Sequence, residues 1–245
     1  MPSVPIPTPT DALPVNALLP SGGSEEVFTS VHSGWGFCCA LSSHARVAVW
    51  GSNKHGQCAT SPATRWVAPA WVTLGGEGTQ YLRAASLSCG WSHCIAIEAA
   101  ATESRRHHSF LTWGRGDMGQ LGRGGLNTGA DHTPGAVAGI HCTCGASESG
   151  GGGGGDCDAS PPPLPPVAVC GSESTLVALP CGQCVWAWGW NEHGNLGVGE
   201  GLESRWEPTR VALPLGMKVC QEGGVKAAGA TLIVELCQVG QAWPV

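Results

Sequence analysis

Short runs of apolar and aromatic residues, separated by glycine-rich turns, recur along this 245-residue chain. The run CVWAW at 184–188 alternates as a half-buried strand does, and the turn sequence GWNEHGNLG follows it at 189–197. Glycine supplies the backbone freedom that a compact turn needs, and this turn contains three glycines. The pattern therefore predicts a strand that ends in a tight turn.

Two motifs repeat together with this strand and turn. The first is a short apolar strand preceded by glycine, with copies at 34–41, 90–97 and 171–178 and a weaker copy at 227–234 that lacks the leading glycine. The second is a Trp-Gly pair whose glycine is followed five residues later by another glycine. Together they define the repeat positions Gly34, Trp50, Gly51, Gly56, Gly90, Trp113, Gly114, Gly119, Gly171, Trp188, Gly189 and Gly194.

The spacing of the copies predicts the fold. The first two copies and the last two copies are each 56 residues apart, whereas the middle interval is 81 residues. Short strands and tight turns repeated at such a length are typical of a propeller or a solenoid. We therefore predict an all-β fold, a partial β-propeller with three full repeats and part of a fourth.

Individual strands are predicted within this pattern. In the first repeat we expect strands at 27–41 and 45–50, followed by a connecting segment through Trp66 and Trp71. The last segment, 219–236, is expected to supply one or two strands of the fourth repeat. No stretch has the length and period of an ordinary helix.

Composition divides the chain into a tail, a repeat domain and an insertion. Residues 1–25 are rich in Pro, Ser and Gly and are predicted to be a disordered tail, with the propeller-repeat domain at 26–245. Within that domain, 142–166 contains a polyglycine run and a polyproline run, which do not suit a sheet interior. We expect a flexible Gly/Pro-rich insertion there, which accounts for the longer middle interval.

Charge and cysteine content limit the partners and the compartment. Twelve Lys and Arg against eighteen Asp and Glu give a net charge of −6, so the basic footprint of a nucleic-acid-binding protein is absent. Thirteen cysteines without a secretory leader favour a reducing compartment, cytosol or nucleus, rather than secretion. No apolar run is long enough to suggest a transmembrane helix.

Several cysteines and histidines invite a zinc site. Cys181-x-x-Cys184 and Cys142-x-Cys144 are the cysteine pairs, and His107, His108 and His141 are the neighbouring histidines. The second pair has the wrong spacing for a zinc site, and the first flanks a predicted hairpin turn. Ordinary packing and turn cysteines are favoured, and we expect no metal and no cofactor.

Enzyme motifs are weak in this sequence. Gly114, Gly116 and Gly119 match the dinucleotide fingerprint, but no βαβ unit surrounds them, and two of them are turn glycines of the repeat. We find no arrangement of nucleophile and base and no paired carboxylates. The sequence predicts no active site for covalent chemistry.

The repeated residues carry a family resemblance. GWSHCIAI at 90–97 followed by WGRGDMGQLG at 113–122 resembles the repeat of the regulator of chromosome condensation family. The turn WGWNEHGNLG at 188–197 is similar to the branch of alpha-tubulin suppressors and secretion-regulating guanine nucleotide exchange factors. Members typically fold as seven-bladed propellers, so the resemblance implies a propeller, of which this sequence shows three full repeats.

The resemblance also implies a binding face. In the family's Ran exchange factor, acidic residues in the two positions after the motif glycine contact the GTPase, and Glu173 matches that chemistry here. In the family's UV-B photoreceptor, tryptophans followed by arginine occupy the first position, but here Gly36 and Ser92 follow the tryptophans. His93 stands at the repeat histidine, for which we expect a buried imidazole. The candidate partner-binding residues are Trp35, Trp91, Ser92, His93 and Glu173.

Three functions follow from this resemblance. The first is a protein-interaction module that acts as guanine nucleotide exchange factor or regulator of a small GTPase. The second is a scaffold or adaptor propeller without exchange activity, and the third and remotest is a tryptophan-based UV-B sensor. A nucleotide-release assay with a panel of small GTPases separates the first two.

Overall fold

A computed structural model describes residues 26–74, 80–99, 108–125, 129–143, 165–199, 203–220, 224–229 and 231–238. These residues form sixteen β-strands and no helix, so the all-β prediction is confirmed. Within the described part of the chain there is accordingly no helix able to span a membrane. The predicted tail at 1–25 and residues 144–164 of the predicted insertion lie outside the described residues.

Three four-stranded antiparallel sheets form the first three blades, and in each one the strands pair in chain order. Blade 1 contains β1 (Phe28–Ser33), β2 (Phe37–Ser42), β3 (Val47–Ser52) and β4 (Trp66–Trp71). Blade 2 contains β5 (Ala84–Cys89), β6 (His93–Glu98), β7 (Phe110–Arg115) and β8 (Ala130–Ala136). Blade 3 contains β9 (Val167–Cys170), β10 (Ser174–Ala178), β11 (Val185–Trp190) and β12 (Ser204–Val211). One blade therefore corresponds to each full repeat of the sequence.

The segment after blade 3 contains more strands than the sequence predicts. Two short antiparallel pairs follow, β13 (Met217–Val219) with β16 (Leu236–Gln238) and β14 (Val225–Ala228) with β15 (Thr231–Val234). Of these, β14 and β15 lie wholly within 219–236, where one or two strands are expected, and β13 and β16 form a second pair at the two ends of that range. Strands of three or four residues are too short to show an alternating pattern.

Two strand predictions in blade 1 are also corrected. The predicted strand at 27–41 is two strands, because the chain turns through Gly36, whose φ is +76°. The predicted connection through Trp66 and Trp71 is β4, the outermost strand of the sheet. Pro69 obscures this strand in the sequence, yet an edge strand tolerates proline because one of its sides has no ladder to complete.

The hydrophobic core lies between neighbouring sheets. One cluster of buried side chains fills the space between blades 1 and 2 and includes Trp113. A second joins blades 2 and 3 and includes Trp188, and a third packs blade 3 against the strands that follow it, with Val219 and Val225. Each blade is thus buried chiefly against the next one, as expected for a repeat architecture.

Candidate protein-binding face

Backbone hydrogen bonds join the blades at the start of β2, β6 and β10. The N–H of Trp35 donates to the carbonyl of Trp91 at 2.8 Å, and the N–H of Trp91 donates to Ser172 at 3.0 Å. Ser172 in turn donates to the carbonyl of Gly229 at 2.7 Å. Because these groups are peptide units of consecutive blades, the position after each motif glycine is held rigidly.

Two large aromatic side chains extend from this backbone ladder. Trp35 is 71% exposed and Trp91 is 47% exposed. Their ring centroids are 5.5 Å apart with planes at 63°, an edge-to-face arrangement that aromatic pairs favour. The structure therefore brings together the two tryptophans that the repeat predicts to be equivalent. We call Trp35, Trp91, Ser92 and Glu173 the tryptophan face.

Glu173 is tied into an ion-pair network between blades 2 and 3. Its carboxylate accepts hydrogen bonds from Arg115, at 2.6 Å, and from the side chain of Gln120. Arg115 also pairs with Asp117 at 2.6 Å. Burial raises the pKa of Glu173, and the charge of Arg115 opposes that shift. Arg115 therefore balances the charge of this carboxylate, and the hydrogen bonds fix its orientation. Glu173 lies at the edge of the tryptophan face and is not a free acidic group.

His93 does not lie on the face, contrary to its inclusion among the candidate partner-binding residues. Its side chain is fully buried, as expected for the repeat histidine, and its Nε2 lies 3.0 Å from the hydroxyl of Thr175 in blade 3. That hydroxyl donates its one proton to the carbonyl of Gln120 at 3.1 Å, so His93 is the donor. His93 therefore stabilises the blade interface as a neutral imidazole.

The buried histidine gives the fold a predictable pH dependence. Burial lowers the pKa of His93 from 6.5 to about 4, and the charge of Arg115 acts in the same direction. The unfolded chain then binds this proton more tightly, so stability is present above pH 6.5 and is lost as the pH falls toward 4. We expect the titration of His93 to lower the free energy of unfolding by about 2 kcal/mol when the pH falls from 7.5 to 5.

His93→Gln removes the titrating group and keeps a side-chain donor for Thr175. Urea unfolding of both proteins at pH 7.5 and 5 measures the difference between them. The variant should gain about 2 kcal/mol relative to the unmodified protein over this range. A difference that does not change with pH would contradict the neutral, buried imidazole.

Sequence comparisons agree with this arrangement of repeats. Residues 28–57 and 184–222 match sequence profiles of the Regulator of chromosome condensation (RCC1) repeat. The chain belongs to the regulator of chromosome condensation repeat family. The first match lies in blade 1. The second match begins in blade 3 and extends into the strands that follow it. The profiles thus match the first and the third full repeat, and the three four-stranded sheets show all three repeats as blades in the described residues.

Curated members of this family are similar over most of the chain. The secretion-regulating guanine nucleotide exchange factor of Mus musculus is 31% identical over 191 residues, which is 71% of this chain and 34% of that protein. The Bos taurus protein of the same name is 30% identical over 70% of this chain and 33% of its own length. The ultraviolet-B receptor UVR8 of Arabidopsis thaliana is 31% identical over 41% of this chain and 20% of its own length. The chain thus spans about a third of the length of the exchange-factor relatives.

Solved structures show the same fold. Prp20p from Saccharomyces cerevisiae matches with a TM-score of 0.62 at 16% identity, covering 87% of this chain and 44% of that one. Human WBSCR16 matches with a TM-score of 0.59 at 20% identity, covering 87% of this chain and 45% of that one. The predicted partial propeller is confirmed by this likeness, which extends over nearly all of the chain.

The structure brings together only some of the candidate zinc ligands. It brings Cys142 within 4 Å of Cys181 and Cys184, although the pairs are far apart in sequence. His141 instead packs its ring against Trp186, with centroids 5.4 Å apart. Cys144 and His107 lie outside the described residues. Three cysteine sulfurs therefore meet where the sequence favoured unrelated turn cysteines.

The sequence analysis did not identify several residues of the site. Arg115 ends β7 and Gln120 lies in the turn that follows, yet both contact Glu173 in the next repeat. Thr175 is the partner of His93 across the same interface. These contacts join positions more than 50 residues apart, and a motif within one repeat carries no signal of them.

Proposed function

We propose that this chain is a protein-interaction module that binds a small GTPase through the tryptophan face and regulates its nucleotide state. The observation that carries the proposal is the exposed pair Trp35 and Trp91, held on a backbone ladder that crosses the blades. Its similarity to secretion-regulating guanine nucleotide exchange factors supports the choice of partner. Prp20p, which shares the fold, was described together with its binding to Gsp1p and histones.

The chemistry of the face suits an anchor for a protein partner. Binding energy at interfaces concentrates in a few residues, among which Trp and Arg are enriched. Here the N–H of Arg115 donates to the carbonyl of Ser92, the residue after Trp91, and the charge of Arg115 is balanced by Glu173 and Asp117. The face therefore offers apolar area without a large unpaired charge to desolvate.

Exchange by such a face needs no covalent chemistry. A partner that binds a GTPase more tightly when its nucleotide and magnesium contacts are weakened shifts the GTPase toward that state. The proposal therefore requires only a difference in affinity between the two states. A reducing compartment, cytosol or nucleus, is the setting in which we expect this interaction.

Trp91→Ala tests the face. We expect the substitution to weaken partner binding by about 2 kcal/mol, or roughly thirtyfold in Kd, while the fold stays intact. Release of a fluorescent nucleotide from a panel of small GTPases identifies the partner, and titration with the variant then measures affinity. Urea unfolding of the same protein measures its stability.

Trp66→Ala is the matched control, because Trp66 is 59% exposed but lies on the outer strand of blade 1. It should leave both binding and stability close to those of the unmodified protein. If Trp91→Ala instead loses several kcal/mol of stability, Trp91 is a packing residue and the face assignment fails. If nucleotide release is accelerated for no GTPase of the panel, the scaffold function replaces exchange.

The tryptophan pair alone does not favour the light-sensing alternative. Gly36 and Ser92 follow the two tryptophans, so neither carries the arginine neighbour of the photoreceptor pattern. Among the described residues, the cation–π contacts made by Arg46 are to Trp71 and Tyr81, away from the pair. GTPase regulation is therefore the function we propose.

A further inference from the structure

Three cysteine sulfurs meet in the core between blades 1 and 2. Cys39 lies on β2, Cys89 on β5 and Cys94 on β6. The Sγ of Cys94 is 3.7 Å from that of Cys39 and 3.7 Å from that of Cys89. All three residues are free thiols, and their sulfurs lie within 4.8 Å of one another. We call Cys39, Cys89 and Cys94 the core thiol group.

The packing of two blades brings this group together. Cys89 and Cys94 are opposite each other in the β5–β6 pair, at the base of the turn 90–93. Cys39 comes from the second strand of blade 1, which packs against β5. One sulfur therefore belongs to blade 1 and two belong to blade 2, so a group bound to all three would join the blades.

A neighbouring buried cysteine shows how a thiol in this core is ordinarily satisfied. The thiol of Cys58 donates to the carbonyl of Ser52 at 3.4 Å, a hydrogen bond to backbone. In the core thiol group the close contacts join sulfur to sulfur, and the carbonyl of Gln57 is farther away, 3.9 Å from the Sγ of Cys94. The three sulfurs thus face one another rather than the backbone.

The separation of the sulfurs suits a single metal ion. A metal–thiolate bond of about 2.3 Å places three sulfurs around one ion about 4 Å apart. Two of the three separations in the core thiol group are 3.7 Å, so the ligands need to move little to bind an ion between them. Cys89 is only partly buried, which gives an ion access to the group from the surface.

The number and the softness of the donors select the metal. Thiolate ligands favour Cu(I) and zinc among the metals found in proteins. A structural zinc site is closed by four ligands. Within the described part of the chain, no fourth cysteine, histidine or carboxylate joins the three sulfurs. Cu(I) is soft and forms stable complexes with three sulfur ligands, so it fits this donor set better than zinc.

We propose that the core thiol group binds one Cu(I) ion through its three sulfurs and that the ion cross-links blades 1 and 2. Binding replaces thiol protons, which are released to solvent, and no electron is transferred. The proposal does not depend on the proposed GTPase function. It assigns a metal site to cysteines whose spacing in the sequence gives no indication of one.

Cys39→Ser tests the site by removing the ligand from blade 1. Each protein is titrated anaerobically with Cu(I) in ascorbate, against the chelator bicinchoninate, and the equivalents that the protein retains are counted. The variant should retain one equivalent fewer than the unmodified protein, because affinity at the site falls by more than about a hundredfold. Groups that only orient metal ligands already change affinity by about 10–100-fold.

Cys58→Ser is the matched control. It also replaces a buried cysteine of blade 1, but one whose sulfur lies outside the core thiol group. It should retain as many equivalents as the unmodified protein. Other cysteines of the chain contribute equally to all of these titrations, so the difference between variants reports on this group alone.

A shared site also predicts that losses from the two blades do not add. Cys94→Ser should lose one equivalent, and so should the double variant with Cys39→Ser. A loss of two equivalents in the double variant, or an equal loss in Cys58→Ser, overturns the proposal. Circular dichroism of each variant confirms that it is folded before its titration is compared.

Hydrogen exchange of the unmodified protein locates the ion without relying on a variant. At a free Cu(I) concentration of about ten times the Kd, openings that break the site should become about tenfold rarer. Amides of β2, β5 and β6 should therefore exchange about tenfold more slowly. Slowing confined to the β10–β11 hairpin, which contains Cys181 and Cys184, overturns the assignment.

Two further results would contradict the choice of Cu(I). One is a site that binds Zn²⁺ in the presence of an equal concentration of buffered Cu(I). The other is a disulfide between Cys89 and Cys94, seen as a loss of two hydrogens in the intact mass after the anaerobic titration. Retention of one Cu(I) with the mass of the reduced protein supports the proposal.

Discussion

Trp113→Ala is expected to lower the free energy of unfolding by about 3–5 kcal/mol. The Trp113 side chain is fully buried between blades 1 and 2, and its indole N–H donates to the carbonyl of Gln57 at 3.0 Å. The substitution opens a cavity in the core and removes the stronger of the two donors to a buried carbonyl. Urea unfolding followed by circular dichroism measures the loss.

Two further variants separate the causes of this loss. Trp113→Phe keeps most of the apolar volume but removes the donor, and should cost about 1–2 kcal/mol. Trp66→Ala removes a tryptophan that is mostly exposed and should change stability by less than about 0.5 kcal/mol. A loss below about 1 kcal/mol for Trp113→Ala would mean that the blade interface does not depend on this side chain.

Gly90→Ala is expected to destabilise the protein by about 3 kcal/mol. A Cβ atom at this position would lie 2.5 Å from the carbonyl oxygen of Gly171 in blade 3 and 2.2 Å from Cε1 of His93. The first neighbour is backbone and directly precedes Ser172, whose carbonyl accepts from Trp91 in the interblade ladder, so relief requires the blades to separate. Denaturant unfolding at pH 7.5 measures the effect.

Gly129→Ala is the control for the glycine substitution, because a Cβ atom there meets nothing within 4 Å. It should stay within about 0.5 kcal/mol of the unmodified protein. Equal stability of the two variants would show that close approach of the blades does not explain the first glycine of the motif.

The two complete interfaces between blades use the same geometry with different side chains. Between blades 2 and 3, the carbonyl of Gln120 accepts from the Trp188 indole at 2.8 Å and from Thr175. Between blades 1 and 2, the carbonyl of Gln57 accepts from Trp113 and, at 3.9 Å, from the thiol of Cys94. The tryptophans of the second and third Trp-Gly pairs therefore each donate a hydrogen bond to the turn of the preceding blade.

The two interfaces differ in the polarity of two positions, and both positions change in the same direction. The interface with Thr175 has His93, a donor that matches the hydroxyl. The interface with Cys94 has a buried phenylalanine, Phe37, at the position equivalent to His93. Buried polar groups require partners, so a histidine needs a hydroxyl from the next blade whereas a phenylalanine does not.

The repeat glycines were predictable as a class, and the structure gives their separate reasons. Gly114 and Gly189 have φ values of +103° and +105°, which favour glycine. Gly34 and Gly90 allow backbone of the next blade to come close. Gly194 has a positive φ but meets nothing within 4 Å. A positive φ at one position and close contact between blades at another therefore both require glycine, and the sequence alone does not distinguish them.

The sequence by itself determined the all-β class, the three repeats, the turn glycines and the equivalence of Trp35 and Trp91. These properties arise from short-range patterns, since alternation and turn chemistry act over a few residues and the repeat multiplies the signal. Only the tertiary structure decided that His93 contacts Thr175 across the blade interface, while Trp91, two residues earlier, is exposed. It also decided the pairing of Glu173 with Arg115 and the contact of Cys142 with Cys184. Each of these depends on which blade surface faces the next one, and that arrangement is fixed by packing between repeats rather than by the pattern within one repeat.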